Sequence, residues 1–180
     1  GFNRSRGFLT VQNSHLTREC FEGDFSDLES HYRSVFEAAR KDGVEHIPME
    51  FKLIEEAGPP ALAALREWPK IGQQFVAFLK EQKADPPDVL PRQVLAQLLA
   101  SGARPTQDEL WQMVELGDGS YAEALSDPAL FYYSHLFRAE LMARTCARAT
   151  ELLERVFGPH TLVSSGSFYP SSGHAPTLER

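Results

Sequence analysis

The feature that most constrains this chain is one long helical pattern, DPALFYYSHLFRAELMARTCARATELLERVFGP, at residues 127–159. Asp127 followed by Pro128 is typical of a helix start, and Gly158 with Pro159 is typical of a helix end. Between these signals, apolar residues recur at helical spacing and predict the buried side, which comprises Leu130, Tyr133, Phe137, Leu141, Met142, Cys146, Ala149, Leu153 and Val156. The pattern predicts one helix of about 30 residues, roughly 45 Å long.

Further helices precede this one. Ser26 and Glu29 match a capping box, and Gly43 is placed to end the first helix. A stripe from Leu62 to Trp68 predicts a second helix that Pro69 interrupts, and the pattern resumes at Ile71. We interpret residues 84–126 as a helical excursion, in which RQVLAQLLASG and TQDELWQMV are short helices and LGDGSYAE is a loop.

Three short segments have the character of strands. Residues 8–12 are β-branched and aromatic, residues 46–54 alternate between apolar and polar side chains, and residues 160–165 form a third run. Strands separated by helices are expected to lie parallel. We therefore predict an α/β fold, a partial (β/α) barrel-like arrangement dominated by helices, over residues 1–180 as a single domain or a barrel segment.

Charge and cysteine content exclude several classes of function. The net charge of −7, without a basic cluster, argues against a nucleic-acid partner. No apolar run reaches the roughly 20 residues that span a bilayer, so we expect no membrane segment. Cys20 and Cys146 have no metal-binding or disulfide spacing, so we expect no cofactor, and the compartment stays open with a lean to the cytoplasm. The chain begins with Gly1, which suggests a processed form or a fragment.

Polar residues follow each predicted strand. Because parallel strands release their following loops at one edge, these side chains are expected to meet there. Amide, imidazole, carboxylate and phenol groups suit a polyhydroxylated ligand, so a carbohydrate is the predicted ligand, and the residues concerned are Asn13, His15, Glu55, Glu56, Tyr169 and His174.

Glu56 is the catalytic candidate. Its position in the strand alternation puts it on the polar face with Lys52, where partial burial would raise the pKa of its carboxyl and suit a proton donor. The alternative is structural, because acidic residues just before a helix are stabilised by its dipole. His15 and Glu19, four residues apart, with His174, also leave open a metal-dependent hydrolase.

The stretch KLIEEAGPP resembles the strand end of retaining glycoside hydrolases of the (β/α)8-barrel clan, where an Asn-Glu pair carries the general acid/base. The long helix that ends at Pro159 and His160 is similar to the matching region of bacterial barrel-type β-galactosidases, and the resemblance covers about residues 44–174. It implies that Glu56 is the acid/base and that Glu55 stands where the family has asparagine.

A retaining glycosidase needs a second carboxylate, and a full barrel needs eight strands. The chain is therefore expected to be a barrel segment that is incomplete alone. The alternative is a non-enzymatic helical or α/β module that binds a partner protein, or the remainder of a larger chain, through the long helix.

Overall fold

The structure, a computed structural model, describes residues 9–12, 19, 22–44, 49–52, 61–158 and 162–164. The chain divides into two compact units. Unit 1 comprises Gly1–Pro59 and Met142–Arg180, and unit 2 comprises Pro60–Leu141. Most of the described residues are helical.

Three short strands belong to unit 1. They are β1 (Leu9–Gln12), β2 (Met49–Lys52) and β3 (Leu162–Ser164). β2 lies between the other two and pairs with each of them in parallel. The longest of these strands has four residues.

The first helix, α1 (Ser26–Lys41), ends where the sequence predicts. Gly43 has a φ of 66°, in the left-handed region that favours glycine. Its N–H donates to the Arg40 carbonyl, and the Val44 N–H donates to the Ala39 carbonyl. This pair of bonds satisfies carbonyls at the helix end that have no partner inside the helix.

The predicted capping box at the start of α1 is wrong. Phe25 occupies the N-cap position and makes no side-chain cap, and Ser26 is already helical. The Ser26 N–H and hydroxyl both donate to the Asp24 carboxylate, at 3.0 and 2.8 Å. Glu29 instead accepts from Arg33, one helical turn further on, at 2.7 Å. The helix begins one residue earlier than the box requires.

The core of unit 1 forms between α1 and the last part of the long helix. Leu28, Tyr32 and Ala39 pack with Ala149, Leu152 and Leu153 in one buried cluster. The Phe157 ring lies edge-on to Phe36, with centroids 5.5 Å apart. This core is formed by two helices that bury apolar faces against each other.

The remaining helices begin in unit 2. Their bounds are α2 (Leu62–Arg66), α3 (Ile71–Glu81), α4 (Pro86–Val89), α5 (Arg92–Ser101), α6 (Gln107–Gln112), α7 (Tyr121–Ser126) and α8 (Pro128–Phe157). The predicted break at Pro69 is confirmed, since it separates α2 from α3. LGDGSYAE was predicted to be a loop throughout, and its last residues instead begin α7.

The long helix is confirmed as α8, with 30 residues from Pro128 to Phe157. Leu130, Phe137, Ala149 and Leu153 are buried, as the pattern predicts. Its buried side also carries polar groups that the apolar pattern does not reveal, Ser134 and Thr145.

Three phenylalanine rings pack together in the core of unit 2. Phe75 and Phe78 of α3 lie with their ring centroids 5.4 and 5.5 Å from that of Phe137. All three side chains are buried. Aromatic pairs at this separation contribute about 0.5 to 1.5 kcal/mol beyond the area they bury. These contacts hold α3 against the first half of α8.

The predicted fold class is wrong: the protein belongs to the mainly helical class, and it is neither an α/β fold nor a TIM barrel. The longest helix has 30 residues, whereas no described strand exceeds four. Both cores described above form between helices. The alternation at residues 46–54 correctly indicates a strand, β2 (Met49–Lys52), but a strand of four residues does not determine the fold class.

Every helix among the described residues is too short or too polar to span a lipid bilayer. This finding covers residues 22–44 and 61–158, in which all the helices named above lie.

Lys83 offers a test of local backbone strain. It follows α3 with a φ of 57°, and its N–H and that of Ala84 close the helix end in the manner seen at Gly43. We expect Lys83→Gly to raise the free energy of unfolding by about 1 kcal/mol, because glycine removes the left-handed penalty. Urea denaturation measures this difference. Lys83→Ala keeps the Cβ and should change stability little, so an equal gain from alanine would contradict the strain argument.

Candidate functional site

A glycine-rich loop between α6 and α7 has a side-chain partner for each of four consecutive N–H groups. We call residues 117–120 the GDGS loop. The Asp118 and Gly119 N–H groups donate to the two carboxylate oxygens of Glu123, each at 3.0 Å. Hydrogen bonds to a charged acceptor contribute about 1.5 to 3 kcal/mol. Glu123, from the first turn of α7, therefore reaches back and fixes the loop that precedes its own helix.

The other two N–H groups of the loop are also satisfied by side chains. Ser120 donates to the Asp118 carboxylate at 2.7 Å, and Gly117 donates to the Ser134 hydroxyl at 2.9 Å. Ser134 is fully buried on α8, so this second bond attaches the loop to the long helix. Hydrogen bonds from the Ser120 backbone and then from its side chain lower the pKa of Asp118.

Ser120 caps α7. Its hydroxyl accepts the Glu123 N–H at 3.1 Å, which satisfies one amide that lacks a partner in the first turn. A helix of six residues is too short to be stable alone in water. The cap and the Glu123 bonds therefore supply order that the helix itself cannot.

Gly119 allows the loop to pack closely. Its φ is 72°, and a Cβ there would lie 2.6 Å from the Leu62 Cδ1 and 3.2 Å from the His135 Nε2. Leu62 is itself buried, so it has little room to move away. Only glycine suits both the backbone conformation and this space.

His135 lies beneath the loop on α8. Its Nε2 is buried and has no hydrogen-bond partner among the described residues. Its ring lies against Phe131, with centroids 4.4 Å apart. Burial lowers the pKa of His135, and the Arg138 charge lowers it further, while the Gly119 backbone acts in the opposite direction. The imidazole is therefore held in its neutral form at neutral pH.

This arrangement positions a helix. All four N–H groups of the loop already donate to side-chain oxygens, so none is left to bind an anion. Among the residues that the structure describes, no group of three His, Cys, Asp or Glu side chains is placed to hold a metal ion. The hydrogen bonds of the loop fix the start of α7.

The helix that the loop positions exposes two large side chains. Tyr121 is 78% exposed and Leu125 is 66% exposed. Because they are four residues apart, they lie on the same face of α7. We call this pair the α7 face.

Unit 2 also has an open groove of about 610 Å³, whose lining mixes polar and apolar side chains: Leu98, Ala103, Arg104, Pro105, Glu109, Gln112 and Met113. The Glu109 carboxylate in this groove is not free, because it accepts from the Thr106 N–H and hydroxyl at 2.7 and 2.9 Å. These bonds lower the pKa of Glu109 and complete a capping box for α6.

No protein-family model, no curated protein and no solved structure matches this chain. The resemblance to barrel glycoside hydrolases is therefore wrong, since no solved barrel matches and the described residues are mainly helical. Nothing in the described residues supports the hydrolase and glycosidase assignments. A short motif such as KLIEEAGPP can recur without any shared tertiary structure.

The residues predicted to form the carbohydrate site all lie outside the described residues. They are Asn13, His15, Glu55, Glu56, Tyr169 and His174, and their roles stay predictions. Glu19, the third residue of the metal hypothesis, is buried.

Sequence reasoning missed Glu123, Ser134 and His135. One signal was available, because Ser120 and Glu123 have the spacing of a capping box within the stretch predicted to be a loop. No sequence signal marks Ser134 or His135, whose roles depend on contacts with residues 16 or more positions away.

Gly119→Ala tests the close packing of the GDGS loop. Gly43→Ala is the matched control, because Gly43 has a similar φ of 66° and nothing within 4 Å of a Cβ. We expect the control to lose about 1 to 2 kcal/mol of unfolding free energy from backbone strain. Gly119→Ala should lose clearly more, because a buried clash adds about 1 to 3 kcal/mol. Equal losses in chemical denaturation would contradict the packing described here.

Proposed function

We propose that this chain is a protein-interaction module that binds its partner through the α7 face. The observation that carries the proposal is the exposure of Tyr121 and Leu125 on one side of a helix that the GDGS loop fixes. Tyrosine is enriched in protein interfaces, where its ring contributes a large contact area and its hydroxyl a hydrogen bond.

Exposed apolar side chains are common, and single ones need no explanation. The α7 face differs because its backbone is ordered in advance by the Ser120 cap and the Glu123 carboxylate. A surface that is already ordered loses less conformational entropy on binding. Hydrogen bonds that order a six-residue helix are hard to account for if the helix only connects its neighbours.

The long helix is a weaker candidate for the interface than the sequence hypothesis assumed. Among the described large apolar side chains of α8, Tyr132 is the most exposed, at 59%. Tyr132 also packs edge-on against Tyr133, with ring centroids 5.3 Å apart. The proposal therefore moves the interface from α8 to α7.

Charge indicates the kind of partner. The chain carries a net charge of −7, and a potential of that sign favours the approach of a positively charged partner. We infer a partner segment that combines an apolar pocket for Tyr121 and Leu125 with basic residues around it.

A photo-crosslinking competition tests this function. A benzophenone amino acid at position 125 of the full chain should give a defined adduct in a lysate of the source cells. Excess unlabelled wild-type chain should remove the adduct, and the Tyr121→Ser/Leu125→Ser variant should not. The Gln93→Ser/Gln97→Ser variant, an exposed polar pair at the same spacing on α5, is the control and should compete like the wild type.

Stability separates loss of binding from loss of fold. Both double variants change exposed side chains, so their unfolding free energies should stay within about 0.5 kcal/mol of the wild type for each substitution. If the α7 variant folds and still competes as well as the wild type, the α7 face is not the interface.

A further inference from the structure

His135 lies beneath the GDGS loop in surroundings that disfavour its protonated form. Its Nε2 is buried without a partner among the described residues. The ring lies against Phe131 of α8 and close to Gly119 of the GDGS loop, and Leu62 of α2 lies close to Gly119 as well. A neutral imidazole has one N–H donor and one acceptor nitrogen. An imidazolium has two N–H donors, and each of them needs an acceptor.

We propose that the GDGS loop is a pH-sensitive latch, closed over neutral His135 and released when His135 is protonated. The His135 ring lies so near Gly119 that a Cβ there would be 3.2 Å from Nε2. An imidazolium at this position must obtain solvent or an acceptor for its buried N–H. The loop is the covering element whose displacement supplies solvent without breaking α8, the helix that carries His135.

The charged groups around the ring do not compensate an imidazolium. Arg138 of α8 carries a like charge. The loop carboxylate of Asp118 accepts from Ser120, and Glu123 accepts from Asp118 and Gly119. From α2, Arg66 adds positive charge near Asp118. The carboxylates are committed to backbone N–H groups. The Gly119 backbone alone favours the imidazolium among these groups, and burial outweighs it.

The direction of the pH dependence follows from linkage. Burial lowers the pKa of His135 below its ordinary value of 6.5, so the open loop binds more protons than the closed one. The closed state is therefore fully favoured above pH 6.5. It loses its advantage as the pH falls below that value towards the lowered pKa.

Release of the latch breaks specific bonds. Movement of Gly119 away from His135 separates its N–H from Glu123, and the Gly117 bond to Ser134 lies in the same short segment. The loop continues directly into α7, so acid would also disorder the α7 face. That last consequence rests on the proposed function, whereas the latch itself does not.

Amide hydrogen exchange in the full-length chain, followed by NMR between pH 7.5 and 5, tests the latch. Protection factors, corrected for intrinsic exchange, should fall about tenfold at Asp118 and Gly119 for each unit by which the pKa of His135 is lowered, provided the pH passes below that pKa. The Phe78 amide in α3 should keep its protection. The range ends at pH 5, above the ordinary titration of carboxylates.

Two histidine variants provide the comparison. His135→Phe keeps a ring but cannot be protonated, so its loop protection should not depend on pH. His31→Phe, at an exposed histidine of α1, should retain the wild-type fall. Loop protection that stays constant in the wild type, or that falls equally in His135→Phe, overturns the proposal.

The titration of His135 in the wild-type protein tests the latch without any variant. The imidazole carbon signals of His135 should titrate below pH 6.5, the ordinary midpoint, and should report the same transition as the loop amides. Titration at or above that value overturns the proposal even if His135→Phe does not fold.

Discussion

The N–H groups of four consecutive residues, 117–120, all donate to side-chain oxygens, and the candidate site depends on this complete set. Glu123 accepts two of the bonds, and Asp118 and Ser134 accept one each. Irregular backbone packed against a core is stable only when its polar groups are satisfied. Here side chains replace the partners that a helix or sheet would give, and Gly119 provides the conformation that brings the loop onto His135.

The ordered loop supports the proposed function because it positions the short helix that follows it. α7 has six residues, and its cap and its Glu123 bonds supply what its length cannot. The same bonds hold Tyr121 and Leu125 in an exposed position. A latch that responds to His135 would make this exposure depend on pH, because the imidazole lies under the only glycine of the loop that combines a positive φ with buried neighbours.

The sequence was informative where local chemistry decides the structure. Asp127-Pro128 and Gly158 bound the long helix, Gly43 ends α1, and Pro69 separates α2 from α3, because glycine and proline act through their own backbone. It failed where contacts between distant residues decide. The alternation at residues 46–54 does form β2 (Met49–Lys52), but it did not reveal that the cores form between helices. The partners of Ser134 and His135 come from a loop 16 or more residues away. The predicted carbohydrate-site residues lie outside the described part of the chain.

The central claim is that the Glu123 carboxylate organises the GDGS loop, and exchange in a Glu123→Gln variant at pH 7.5 tests it most directly. Glutamine keeps the shape but offers one acceptor oxygen and no charge, so the account predicts that the Asp118 and Gly119 amides lose about tenfold or more of their protection. Glu115→Gln is the control, because Glu115 is 80% exposed and its nearest charged partner, Arg66, is 3.6 Å away. Unchanged protection at both loop amides in Glu123→Gln would contradict the account.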